Sequence, residues 1–139
     1  MTEYTIVKTL FLKATPERVW SFLTDRKKLA TWFHEGKEDL KAGGKYAVFS
    51  NSDGKEGESM CYGDVTVFDP FTKLAHTFSH DYLGGVETLC EWELVETEEG
   101  TILTLRHSGF EKAAEAFALA VDHDKGWDEH FIRLRRVTV

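Results

Sequence analysis

The last third of the chain constrains it most, because from Ser108-Gly109-Phe110 to Val139 it is the one stretch that reads as a long helix. From Glu111 the residues run EKAAEAFALAVDHDKGWDEHFIRLRR. There is no proline, acids (Glu111, Glu115) stand near the start, and Arg133, Arg135 and Arg136 stand at the end, the polarity that suits a helix dipole. Ala116, Ala120, Trp127, Phe131 and Leu134 recur at helical spacing with His123 in the same row, so the helix carries a stripe that needs a surface to cover. Gly126 interrupts it, where glycine costs roughly 1 kcal/mol relative to alanine. Either the helix breaks, or the missing side chain lets the backbone approach a sheet closely while Trp127 fills the adjacent space. Asp122 and Asp124 have the chemistry of N-caps, which favours a break before Asp124 and a second helix from there to about Arg136.

The surface to be covered is supplied by strands. Tyr4 to Ala14 is β-branched and apolar at both parities, and Thr15-Pro16-Glu17 is a helix start with a capping hydroxyl, a proline at the first position and an acid in the first turn. Leu29, Trp32 and Phe33, after the solvated cluster Arg26-Lys27-Lys28, have the spacing of a second short helix. From Glu35 the composition changes to strands and turns. Lys45 to Ser50 is followed by a hairpin turn at Asn51-Ser52-Asp53-Gly54 and a return from Glu58 to Phe68. Leu74 to His80, Val86 to Glu96 and Thr101 to His107 complete a meander whose short links require antiparallel pairing. The sum is α+β: an antiparallel sheet of about six or seven strands, two short helices after the first strand, and the final helix as its cover.

Composition narrows the function. With 139 residues the chain is sized for one domain, residues 1–139, around one core. Seventeen basic against twenty-four acidic residues leave a net charge of −7, which opposes binding to nucleic acid and to anionic membranes. No apolar run approaches the ~20 residues of a membrane span and the N-terminus lacks a secretory layout, so a soluble, cytoplasmic protein is expected. Cys61 and Cys90 lie in strand-like runs without metal or redox spacing and read as buried free thiols.

Six phrases, in order, resemble the START-like helix-grip superfamily and, within it, homologues of the activator of the heat-shock protein 90 ATPase in their small bacterial form: ATPERVWSFLTD (Ala14–Asp25), LATWF (Leu29–Phe33), GGKY (Gly43–Tyr46), GDVTVFDPFTKLAHTF (Gly63–Phe78), TILTLRHSGF (Thr101–Phe110) and KGWDEHFIRL (Lys125–Leu134). The resemblance spans nearly the whole chain. It implies a curved sheet that grips the last helix and leaves a cavity between them, where members of the superfamily hold lipids, polyketides, hormones or other apolar molecules. It implies no reaction.

On that architecture the candidate lining residues are Trp32, Phe33, Phe49, Met60, Tyr62, Phe78, Cys90, Trp92, Leu105, Phe110, Trp127 and Phe131. Each one taken singly reads equally as core, but as a group they are unusually aromatic and suit a flat apolar ligand. His107, at the end of the last strand, is the candidate acid, base or ligand-orienting group, although a residue so placed also serves to bond a turn. Asp64 and His76 are the secondary polar candidates. His76 and His80 are four apart on a strand, about 13 Å, and His123 and His130 seven apart on a helix, roughly 10 Å, so neither pair can share an ion. No metal and no cofactor is expected, and GxSxG, HExxH and the phosphate-loop pattern are absent from the sequence.

Three functions follow. The first is noncatalytic binding of a small hydrophobic or aromatic molecule in an enclosed pocket of at least ~300 Å³. The second is a cyclase- or hydrolase-like enzyme in which His107 or Asp64 assists proton transfer. The third is a co-chaperone acting on a heat-shock ATPase, although the chain resembles only the C-terminal part of the larger activators. Exposed strand edges are compatible with a homodimer.

Overall fold

The computed structural model describes residues 2–49, 59–80 and 83–139, residues 59 and 60 by their backbone alone. The hairpin turn expected at Asn51–Gly54 and the Met60 side chain lie outside the described residues. Strand β1 is Ile6–Leu12, with Ile6, Leu10 and Leu12 buried. Thr15 ends it and starts α1, Pro16–Thr24, by accepting a hydrogen bond from the Arg18 amide at 3.2 Å. Asp25 then caps α2, Arg26–Leu29, accepting from the amides of Lys27 and Lys28. That helix is shorter than its spacing predicts. Trp32 and Phe33 fall in the turn beyond it, because the Trp32 indole donates back to the Phe22 carbonyl at 2.8 Å and draws its ring into the core.

The meander follows as β2 (Lys45–Phe49), β3 (Ser59–Asp69), β4 (Lys73–Phe78), β5 (Thr88–Glu96) and β6 (Thr101–Ser108). All pair antiparallel in one curled sheet, in the order β1-β6-β5-β4-β3-β2. One inner-face row crosses five of these strands: Val65, His76, Cys90, His107 and Ile6 stand side by side, all buried. Strand β3 approaches β4 so closely that a Cβ at Gly63 would stand 2.2 Å from the Thr77 carbonyl oxygen. Only glycine fits there.

A 3-10 turn over Phe110–Lys112 leads to α3, Ala116–Thr138. The helix begins later than Glu111 because Glu115 takes a left-handed φ of 56°, which stops it extending backwards. It does not break before Asp124. Asp124 and Asp128, one turn apart, both hold the Lys8 ammonium of β1, at 2.8 and 2.9 Å, which ties the middle of α3 to the sheet edge. Burial of Trp127, Phe131 and Leu134, about 1.5–3 kcal/mol for each large apolar side chain, outweighs the roughly 1 kcal/mol cost of Gly126. Nor does Gly126 serve a close approach to the sheet, since a Cβ there would meet nothing within 4 Å. At the far end Arg18 of α1 donates to the carbonyls of Val137 and Thr138, satisfying acceptors that a helix terminus leaves open.

Candidate functional site

Most of the space between α3 and the sheet is filled. Trp32, Trp92, Trp127 and Phe131 meet at ring-centre distances of 5.5 to 6.2 Å and leave a void of about 30 Å³ beside them. The enclosed pocket of at least ~300 Å³ expected from the resemblance is therefore not the arrangement found. A hollow of about 250 Å³ instead opens under the first half of α3. Cys61, Phe78, Leu119 and Trp127 line it, and Gly126 adds room at its edge because it has no side chain. Phe33, Asp122 and four imidazoles, His34, His80, His123 and His130, complete the lining.

The histidines are brought together by tertiary structure. His123 Nδ1 lies 2.7 Å from the Leu119 carbonyl and therefore carries a proton and donates to it. Its Nε2 is then an acceptor, and His80 Nε2–H donates to it across 2.8 Å. The two rings lie end to end, nearly parallel with centres 5.0 Å apart. Arg133 donates to the Trp32 carbonyl at 3.1 Å, and His130 Nδ1 stands 3.2 Å from the same carbonyl and 2.6 Å from the guanidinium. Burial and the Arg133 charge press His130 down to about 4, burial and the same arginine lower His34, and burial lowers His123. Near neutral pH these three rings are uncharged. The buried Cys61 thiol is pushed up and stays protonated.

His107 and His76 lie deeper, each bonded to an indole. Trp127 Nε1–H donates to His107 Nδ1 at 3.0 Å, His107 Nε2–H donates to the Thr88 hydroxyl at 2.7 Å, and that hydroxyl donates to the Phe78 carbonyl at 2.8 Å. Both nitrogens are committed, and burial first, then the neighbouring histidines, holds the ring well below its ordinary pKa. The chain of bonds fastens α3 to the sheet and leaves no site for proton exchange with a ligand. His76 donates from Nδ1 to the Thr77 carbonyl and accepts the Trp92 indole proton on Nε2, with burial lowering it to about 4.

The residues singled out by sequence are thus dispersed. Phe33, Phe78 and Trp127 line the hollow, and these three together with Trp32, His76 and Trp92 line the inner void. Cys90, Leu105, His107, Phe110 and Phe131 are fully buried and line neither. Phe49, Tyr62 and Asp64 correct the expectation of a common inner face. On β2 the buried residues are Tyr46 and Val48, so Phe49 points the other way, under the Lys37 ammonium at 5.5 Å. On β3 Cys61 and Val65 are buried, which turns Tyr62 and Asp64 to the outer surface, where Asp64 pairs with Lys45 at 3.2 Å. Sequence reading missed His34, Cys61, His80, Leu119, Asp122, His123, Gly126 and His130 as lining residues. Their partners are remote in the chain, and the available signal, His123 in the stripe of α3, pointed to only one of them. Among the described residues no group of three or more His, Cys, Asp or Glu side chains could hold a metal ion.

An antiparallel sheet gripping one long helix, hollow under the helix's first half and closely packed under its second, defines a START-like helix-grip protein. The chain belongs to the family described as activator of Hsp90 ATPase homolog 1-like protein, whose model matches residues 13–138. It is similar in structure to BH1534 of Bacillus halodurans, with 26% identity, TM-score 0.78 and full coverage of both chains. It is also similar to CalU16 of Micromonospora echinospora, with 26% identity and TM-score 0.75 over 95% of this chain and 74% of that one. DynU16, from the dynemicin biosynthetic locus, shares the fold at 23% identity and TM-score 0.77, over 97% of this chain and 47% of DynU16. A comparison with curated proteins finds no significant match. Among the described residues no helix is long and apolar enough to cross a membrane.

Proposed function

We propose that the protein binds a small hydrophobic or aromatic molecule in the hollow under the first half of α3, without catalysing its conversion. The observation that carries this reading is the hollow itself: about 250 Å³, aromatic on its inner side and ringed by imidazoles. An apolar cavity of about 150 Å³ takes up benzene, so the space suits a ligand of roughly two fused rings. Catalysis by the candidates named above is not supported, because His107 has both nitrogens committed in the core and Asp64 faces the other side of the sheet. The fold shared with DynU16, a protein of the dynemicin biosynthetic locus, supports this reading, and a cytoplasmic site of action goes with it.

Native mass spectrometry of freshly purified protein tests it, alongside Gly126→Leu, which places a side chain in the hollow. A bound mass of roughly one or two hundred daltons on the wild type, absent from the variant, is expected. The same mass on both proteins would place the ligand elsewhere and overturn the assignment. The family description carries a second reading, action on a heat-shock ATPase, and failure of the host chaperone to bind the purified protein would remove it.

A further inference from the structure

Among the described residues the inner void has one uncommitted side-chain polar atom. Of the polar side chains that line it, the indoles of Trp32, Trp92 and Trp127 donate to Phe22, His76 and His107, and both nitrogens of His76 are used. The remaining one is Tyr46, 7% exposed, whose hydroxyl is buried and has no hydrogen-bond partner among the described residues. Leaving a buried hydroxyl unpaired is unfavourable, and such groups are rare in folded proteins. The Tyr46 ring packs edge-on against His76 at 4.6 Å, with the Cys61 and Cys90 thiols close by, and burial keeps the phenol protonated, so it has a proton to donate.

The void and the hollow are neighbours. Phe33, Phe78 and Trp127 line both, so these three rings are the partition between them. Trp127 is fixed by its bond to His107, and Phe78 is buried on β4. Phe33 is half-buried in the turn after α2 and stacks on Trp127 at 5.6 Å, which makes it the side chain of the three most able to turn aside.

We infer that the hollow and the void are two chambers of one site, and that the Tyr46 hydroxyl is its recognition group, hydrogen-bonding a hydroxyl or carbonyl carried on an aromatic ligand. This rests on the binding reading given above and adds the ligand's chemistry: a flat ring system in the outer chamber with a small polar head reaching inward. The void's volume of about 30 Å³ suits a small head, a hydroxyl or carbonyl oxygen rather than a phosphate.

The test uses two probes of the same shape, 2-naphthol and 2-methylnaphthalene, measured by equilibrium dialysis against the full chain and against Tyr46→Phe. The wild type is expected to favour the naphthol, and Tyr46→Phe to lower that preference about tenfold by weakening naphthol binding alone, the loss of one hydrogen bond. Should the variant fold poorly, a fluorotyrosine label at position 46 in otherwise unaltered protein gives the same answer, its resonance moving with the naphthol and not with the methyl analogue. An unchanged preference in Tyr46→Phe, as a solvent-filled void would give, overturns the role of Tyr46 and leaves the hollow as a binding site. Failure of both probes to bind the wild type overturns both readings.

Discussion

The two halves of α3 are one helix in two environments. From Trp127 onward it places Trp127, Phe131, Leu134 and Thr138 out of solvent, stacks Phe131 on Trp32, bonds an indole to His107, and has its last carbonyls capped by Arg18. Before Trp127 its inward residues, Leu119, Ala120 and His123, are only half-buried, and it is held by the His80–His123 bond and the Lys8–Asp124 ion pair, with the hollow beneath. The second half shows what full packing of this sheet looks like, and the first half departs from it. Opening a binding space requires a segment with few apolar contacts and low local stability, and the helix supplies one while its other end stays anchored.

Truncation should separate the halves most strongly. Leu134→Ala is expected to cost about 2–5 kcal/mol, as for fully buried leucines, and Leu119→Ala only about 1 kcal/mol. Urea denaturation of the two variants measures the difference, and equal losses would end the distinction.

Acid should strike next. His76 has a folded pKa of about 4 against an ordinary 6.5, so between those values the unfolded chain binds a proton that the folded chain excludes. Stability is full above the unfolded value and falls as pH drops toward 4, by about 1.4 kcal/mol per pH unit for that group. His130, depressed to a similar value, adds to the slope from the hollow's side. Denaturation midpoints that are flat from about pH 7 to about pH 5 would contradict the burial of these neutral rings.

Lys8→Met tests how the first half and middle of α3 are tied to the sheet edge. Losing both ion pairs should cost about 1 kcal/mol globally and should speed amide exchange from Ala116 to Asp128, leaving Phe131–Thr138 protected. Uniform acceleration would mean that the helix opens as one unit.

The smallest effect has the opposite sign. Gly126→Ala meets no neighbouring atom and restores helix propensity, so it should raise stability by up to about 1 kcal/mol. It should also weaken ligand binding by narrowing the hollow. A variant more stable and unimpaired in binding would show that Gly126 is not kept for the ligand's sake.

Much of the framework was legible because it is written locally. The Thr15–Pro16 cap, the β-branched composition of the strands, the short links that force antiparallel pairing and the stripe on α3 are patterns within a few residues of one another, and the structure follows them. The errors came where a distant group intervened. The break expected before Asp124 is overridden by Lys8, more than a hundred residues earlier in the chain, and α2 ends early because Trp32 commits its indole to Phe22. Face assignment on β2 and β3 failed for Phe49, Tyr62 and Asp64 because aromatic and polar residues occur at both parities, and hydrophobic content alone does not choose the buried side.

The sequence by itself determined the class of architecture, a sheet with one long amphipathic cover, since hydrogen-bonding period and turn chemistry are properties of short segments. Only the tertiary structure decided where the space lies. The indoles that could have lined a large cavity fill it, each fastened by a bond to a remote residue, and the opening is displaced to the helix's first half. There His80 and His123, forty-three residues apart, are joined by a hydrogen bond. Cavity position depends on the volumes and partners of side chains from several strands at once, and no single stretch of the chain contains that sum.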